Sequence, residues 1–459
     1  MDAPAPRTAR PVRSWRQNPW WIPPFLGSVP DLDPRLLRTL GLVTLGMFFE
    51  AYDLSLLASA LKQIGEGLGI AASDFGFYLG AIRSGGLAAF AIVPLADRWG
   101  RRRVFLGSLV AMSVGTLATA FAQTPLQFLA LQIATRAFLA SAAAVGVVML
   151  TEEMPAAHRG WGIGMLGALA ACGHGLGALF FAAVNVLPFG WRALYAIGIL
   201  PLLFLPRIRR TLQETARFRE HQRLQGDAQR TGLAASLRSL GALARSHPGR
   251  AAGVGMTGFV EAFGSISVFS FASWFAQTRH GWAPWQFSTM VLTAGAVGIV
   301  GNIVAGRLGD RFGRRAVGIT TFAIYPLAAM GFYAGPSWTL PLCFALIVFT
   351  SSAGDVVVRA FATELFPTSQ RGASAAWQTL LQTLGFILGP WVVGALAPRS
   401  EDLPQTIRLV SATLFAASLF VWLLPETRGR ELEAISHDEP RLSDTRSTRA
   451  PSPRTGSTP

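Results

Sequence analysis

The chain has 459 residues, of which 51% are hydrophobic and only 14% charged; a soluble protein of this size needs far more charge to cover its surface. Its formal charge of +15 rests almost wholly on arginine, Lys62 being the single lysine. Those arginines stand in the connections between long apolar blocks, which is the pattern of a membrane protein's loops and argues against nucleic acid as a partner.

In chain order, the first thirty residues carry Arg7, Arg10, Arg13 and Arg16 with several prolines and no apolar core, so no cleavable signal is read there. Trp20 and Trp21 suit a membrane interface. Twelve apolar blocks follow. A helix needs about 20 residues to cross roughly 30 Å of hydrocarbon, and it must be a helix because lipid gives the backbone no hydrogen-bond partner. Six spans are predicted near Leu40–Leu61, Phe75–Ala96, Val104–Ala122, Leu126–Leu150, Trp161–Val184 and Trp191–Leu205. A polar, basic stretch from Pro206 to Arg250 interrupts the pattern, and six more spans are predicted near Ala251–Ala276, Phe287–Ala305, Ala316–Ala334, Trp338–Ala362, Ala373–Ala397 and Ile407–Leu424. The tail after Ser436 is rich in Ser, Thr, Pro and Arg and reads as disordered. The resulting plan is an N-terminal tail (1–35), a six-helix half (36–206), a central loop (207–250), a second half (251–425) and a C-terminal tail (426–459). Cys172 and Cys343 both fall inside apolar blocks and read as packing residues.

Arginine placement sets orientation. Arg98, Arg101, Arg102, Arg103, Arg159, Arg207, Arg209, Arg210, Arg311, Arg314, Arg315 and Arg371 share one set of loops; the other set holds little beyond Lys62, Arg192, Arg279 and Arg399. Both termini and the central loop are therefore expected in the cytoplasm, and an even number of spans follows.

The halves also repeat, at an offset of about 212 residues. Leu95-Ala96-Asp97-Arg98-Trp99-Gly100-Arg101-Arg102 recurs as Leu308-Gly309-Asp310-Arg311-Phe312-Gly313-Arg314-Arg315, and Thr151-Glu152-Glu153-Met154-Pro155 as Thr363-Glu364-Leu365-Phe366-Pro367. The first helices echo each other as well, Phe48-Phe49-Glu50-Ala51 against Phe259-Val260-Glu261-Ala262. Parallel repeats of this kind belong to carriers that rock one half against the other around a midplane site.

These motifs resemble the major facilitator superfamily over roughly Leu36 to Glu433. The loop after the second span follows that family's G-x-L-a-D-R-x-G-R-R signature, complete from Gly306 to Arg315, with Val93 in place of glycine in the first copy. That departure puts close helix packing in doubt at Val93. Glu364-Leu365-Phe366-Pro367 and Pro425-Glu426-Thr427-Arg428-Gly429-Arg430 resemble the sugar-porter-like branch. The resemblance implies an all-α membrane protein of twelve helices in two six-helix bundles, working as a monomer. It also implies a cytoplasmic gating network of Asp97, Arg101, Glu152 and Arg159 with Asp310, Arg314, Glu364 and Arg371, which holds the outward-open state and breaks on inward opening.

Ionisable residues inside spans cost about 2.5–3.5 kcal/mol on insertion scales, so each needs a partner or a task. Glu50 and Asp53 stand i, i+3 on one face of the first helix. Two neighbouring acids in low dielectric favour taking up a proton, the chemistry of a proton-coupled carrier. Glu50-Ala51-Tyr52-Asp53 resembles the D-G-Y-D motif of aromatic acid:proton symporters. In sugar porters an aspartate at the Asp53 position partners an arginine of helix four, which Arg136 matches in type while lying about one turn (about 5 Å) off the expected level. Asp53 and Arg136 otherwise form a static ion pair that only fixes packing.

Arg83 in helix two either attracts an anionic substrate in the central cavity or snorkels to the outer interface. Asp355 and Arg359 are spaced to pair within helix ten, and Glu261 repeats Glu50 as a second coupling or substrate residue. His174, in the glycine-rich fifth helix, is a substrate ligand or a locally satisfied histidine; the glycines around it allow close helix approach. Gln378 and Gln382, i, i+4 in helix eleven, are candidate hydrogen-bond donors to substrate, with Trp377, Phe386 and Trp274 as aromatic walls.

The expected function is proton-coupled symport of a small organic acid. Alternatives are proton-driven efflux of drugs or metabolites, or sugar:proton symport, the last disfavoured because Val260 to Ser267 lacks the sugar porters' paired glutamines. A transporter-like receptor would need a larger cytoplasmic domain than the central loop supplies. No nucleotide loop, metal-spaced His/Cys cluster or nucleophile turn is visible, so neither enzymatic activity nor a cofactor is expected, and a gradient must supply the energy.

Overall fold

The computed structural model describes residues 22, 29–155, 158–215, 218, 220 and 233–428. The N-terminal arginines, Trp20, Trp21 and the tail after Ser436 lie outside these. Twelve helices are long and apolar enough to cross a membrane, and are labelled α1 to α12. The first half holds α1 (Pro34–Ser59), α2 (Ala72–Trp99), α3 (Arg101–Ala120), α4 (Pro125–Glu153), α5 (Trp161–Phe181) and α6 (Trp191–Thr211). The second holds α7 (Pro248–Arg279), α8 (Pro284–Phe312), α9 (Arg314–Ala334), α10 (Ser337–Glu364), α11 (Arg371–Leu396) and α12 (Ser400–Leu423). Among the described residues there is no β-strand.

Several helices outrun their apolar blocks. The block ending at Ala305 continues as helix through Arg307, Asp310 and Arg311 to Phe312, because helices persist past the hydrocarbon into the polar interface. Local chemistry starts the chain's first span: the Asp33 carboxylate accepts from the Arg35 amide at 2.7 Å, and Pro34 follows at the first helical position. The central stretch carries a further helix, Leu233–Ser246, whose Leu240 and Leu243 are buried and which packs on α7 and α11.

Within each half the tightest packing runs through small residues. On α5, Gly173 faces the Phe48 carbonyl and Gly177 faces Ser55 of α1; on α11, Gly385 faces the Phe259 carbonyl and Gly389 the Phe263 carbonyl of α7. Gly173 and Gly177 stand 212 residues before Gly385 and Gly389, so the repeat seen in the loops also shapes the helix contacts. Small residues let backbones approach where lipid provides no hydrophobic drive.

The halves meet through α2 with α11, α5 with α8 and α1 with α7. The contacts lie toward the end where α1 and α7 finish, called the far end here; the Asp97 and Asp310 turns mark the opposite, motif end. Ser273 donates to the Ser59 carbonyl at 2.5 Å, and Gln63 to Gln277 at 2.7 Å. Trp391 Nε1 donates to the Phe77 carbonyl at 3.2 Å, and Phe181 packs edge-on against Phe287.

Candidate functional site

Mid-depth in the first half, four charged side chains converge. Asp53 is 4% exposed, and its Oδ1 accepts from the Thr116 hydroxyl of α3 at 3.1 Å. Glu50, one turn earlier, is half-buried. The two acids thus share a face of α1 but not an environment. Tyr52 anchors that register by donating to the Leu194 carbonyl of α6 at 2.9 Å. The Tyr195 hydroxyl, within electrostatic reach of Asp53, is buried without a partner.

Arg83 and Arg136 are brought together by a break in α2. The helix tightens to a 3₁₀ turn over Gly85–Ala88, and Gly85 lies against the Ile133 carbonyl of α4 with the Arg136 Cβ 3.2 Å from where a side chain would begin. Arg136 lies within electrostatic reach of Glu50, Asp53, Arg83 and His174. Its Nη1 and the Arg83 Nε are nevertheless buried without a hydrogen-bond partner. The Arg83 guanidinium sits 5.6 Å from the Phe386 ring centroid of α11, so it points between the halves and not to the far-end interface. The His174 ring is exposed, with Nδ1 3.2 Å from the Ala170 carbonyl one turn back.

In the second half Glu261 is 6% exposed and accepts from Gln382 Nε2 at 3.2 Å. Gln378 is buried beside them. Asp355 and Arg359 of α10 pair within their helix at 3.4 Å. Two of the expected aromatic walls serve packing instead: Trp274 is buried, and Trp377 ties α11 to α7 by donating to the Ala251 carbonyl at 2.8 Å. Phe386 lies against the Arg83 guanidinium.

At the motif end the two copies of the loop build the same cluster. Arg101 bridges Asp97 at 3.0 Å and Glu152 at 2.9 Å. Arg314 bridges Asp310 at 2.8 Å and Glu364 at 3.5 Å. Each cluster is completed by a pair that sequence reading missed. Glu214 accepts from the Arg102 amide at 3.2 Å while Thr215 donates to Glu152 at 2.7 Å; Glu426 accepts from the Arg314 and Arg315 amides at 2.9 and 3.0 Å while Thr427 donates to Glu364 at 2.5 Å. The signal was available: Leu212-Gln213-Glu214-Thr215 precedes Leu424-Pro425-Glu426-Thr427 by 212 residues. A carboxylate at the N-termini of α3 and α9 also meets the positive end of the helix dipole.

Three details depart from expectation. These bridges each stay within one half, while the contacts between the halves lie at the far end. Among the described residues no ion pair joins Arg371 to the cluster, and its Nε is buried without a partner. The Arg159 side chain lies outside the described residues. Val93 packs partly buried against the core of its half, and the matching Gly306 has open space where a side chain would stand.

Both turns need glycine for a local reason. Gly100 and Gly313 have φ of 97° and 100°, and the Glu214 and Glu426 carboxylates occupy the space of the missing side chain. Backbone there costs a non-glycine residue about 1–3 kcal/mol. Gly313→Ala is expected to lower the thermal midpoint of the purified carrier and to reduce its yield in the membrane, whereas Gly306→Ala should be neutral; equal effects would refute the clasp at Gly313.

The Major Facilitator Superfamily matches the chain over residues 43–248 and 254–453. The gallate transporter of Pseudomonas putida is 26% identical over 424 residues, covering 85% of this chain and 92% of that protein. The niacin transporter NiaP of Acinetobacter baylyi is 26% identical over 430 residues, covering 86% and 95%. Among solved structures, the inward-open xylose transporter XylE of E. coli aligns with a TM-score of 0.69 at 18% identity over 87% of this chain and 99% of that one. An inward-facing bacterial homologue of the lysosomal transporter Spinster aligns with a TM-score of 0.73 at 17% identity, covering 85% and 97%. Twelve spans, a doubled bundle and this match over most of its length place the chain in the major facilitator superfamily, a multi-pass membrane protein related to transporters of small molecules.

Proposed function

We propose that the protein is a proton-coupled importer of a small organic acid, an aromatic monocarboxylate by preference. It works by alternating access in the bacterial inner membrane, with both termini cytoplasmic. The observation that carries this is a pair of half-buried arginines, Arg83 and Arg136, each with a buried N–H that has no partner. Ionised, Glu50 and Asp53 balance Arg83 and Arg136, two negative charges against two positive. A substrate carboxylate settling on the arginines adds one negative charge in low dielectric, which one proton on Glu50 or Asp53 cancels. Substrate and proton then bind together because either alone leaves a net charge. The Phe386 ring beside Arg83 offers a flat apolar face to an aromatic ring. The gallate and niacin transporters among the relatives are named for aromatic acids.

With the motif end cytoplasmic, contact between halves at the far end corresponds to an inward-facing carrier. The motif-end clusters then act as braces that let each half rock as a rigid body. The test is uptake into proteoliposomes with an acidic exterior, across a panel of aromatic acids and sugars. Accumulation of an aromatic monocarboxylate that collapses with a protonophore is expected, with xylose excluded. Uptake indifferent to the pH gradient would remove the proton from the mechanism.

A further inference from the structure

The Glu261 cluster differs from the one around Asp53 in a simple way: its charges do not cancel. Glu261 lies within electrostatic reach of Asp355 and Arg359. The guanidinium of Arg359, the one there among the described residues, is held by Asp355 at 3.4 Å on the same helix. Glu261 itself is met by neutral groups: the Gln382 amide of α11 at 3.2 Å and the Ser265 hydroxyl of its own helix. From α9 comes the Tyr325 hydroxyl, within reach of Glu261, buried and without a hydrogen-bond partner. Two carboxylates and one guanidinium leave one negative charge in excess, on a side chain that is 6% exposed. Such a charge in a span needs a counter-cation or a proton.

We propose that Glu261 is a second proton-binding site, in the opposite half from Glu50 and Asp53, so that one more proton crosses per substrate than the first site carries. The side chains of Asp355 and Arg359 are 41% and 71% exposed in the present arrangement, and in this scheme they admit water to Glu261. Closing that water off leaves the excess charge stranded, and the cluster then holds a proton through the crossing. The proposal rests on the reading of the protein as a proton-coupled carrier of a monocarboxylate. With a proton from each half, a monocarboxylate crosses with one net positive charge; with the first site alone it crosses electroneutrally.

The experiment drives uptake of a labelled aromatic monocarboxylate into proteoliposomes by a valinomycin–potassium potential, interior negative, with and without a pH gradient. In the wild type a 100 mV potential is expected to raise equilibrium accumulation on the order of 50-fold for one net charge. In Glu261→Gln the response to potential is expected to vanish while the response to the pH gradient persists. Wild-type uptake that follows the pH gradient but ignores the potential overturns the second site alone, as does a Glu261→Gln carrier that keeps the wild-type response. Wild-type uptake that ignores the pH gradient overturns the coupling scheme on which the proposal rests. Should Glu261→Gln fail to assemble, infrared difference spectra of the full-length carrier in lipid between acid and alkaline pH decide the matter. A titrating carboxylic-acid C=O band that moves in Glu261→Asp supports the site; a band that is absent, unmoved or present at every pH overturns it.

Discussion

Arg136→Gln is expected to abolish useful uptake of the acid, lowering kcat/KM by about 30- to 1,000-fold. That range corresponds to the ~2–4 kcal/mol typical of removing one partner from a buried charged contact. Two effects add in the same direction. The substrate carboxylate loses one of the two guanidinium groups that can meet it, and Glu50 with Asp53 loses the counter-charge within their reach. The remaining balance, two acids against Arg83, already calls for a proton before substrate arrives. Substrate then calls for a second proton, so what uptake remains should still follow the pH gradient. Initial rates over a range of substrate concentrations measure both effects, and a variant within threefold of wild type would show that the carboxylate binds elsewhere.

The second large effect falls on accumulation and not on rate. Asparagine at position 53 keeps an oxygen that can accept from Thr116, so Asp53→Asn is expected to fold and to bind substrate. It loses only the ability to take a proton. Each coupled proton is worth about tenfold in accumulation per pH unit of gradient, and the variant should forfeit that factor while still exchanging labelled for unlabelled substrate across the membrane. Counterflow beside pH-driven uptake separates the two functions. Undiminished accumulation would move the coupling to Glu50.

How much of this was legible in the chain follows from what each feature depends on. The spans could be read because hydrocarbon imposes one rule on every residue between Leu40 and Leu424. Their ends could not, since helices such as α8 run on through Arg307 to Phe312 where the rule lapses. The Asp97–Arg101 and Asp310–Arg314 pairs sit i, i+4 and were readable as local chemistry. The split between Glu50 and Asp53 was not, because it is fixed by how α1 is rotated against α3, with Thr116 63 positions away from Asp53. Nor was the meeting of Arg83 with Arg136, which depends on Gly85 letting two helices touch at that level. Glu214 and Thr215 were hidden in a segment whose charge reads as ordinary loop; only their copy at Glu426 and Thr427 distinguishes them.

Those two Glu-Thr clasps have a consequence for how the molecule could be taken apart. Each fastens the exit of a bundle's last helix back onto the starts and ends of its own earlier helices, so each bundle is sealed before the chain moves on. Severing the polypeptide between Thr215 and Leu233 leaves both seals whole. Two separately encoded fragments, divided there, should find each other in the bilayer and restore uptake, whereas a division on the bundle side of Glu214 should not.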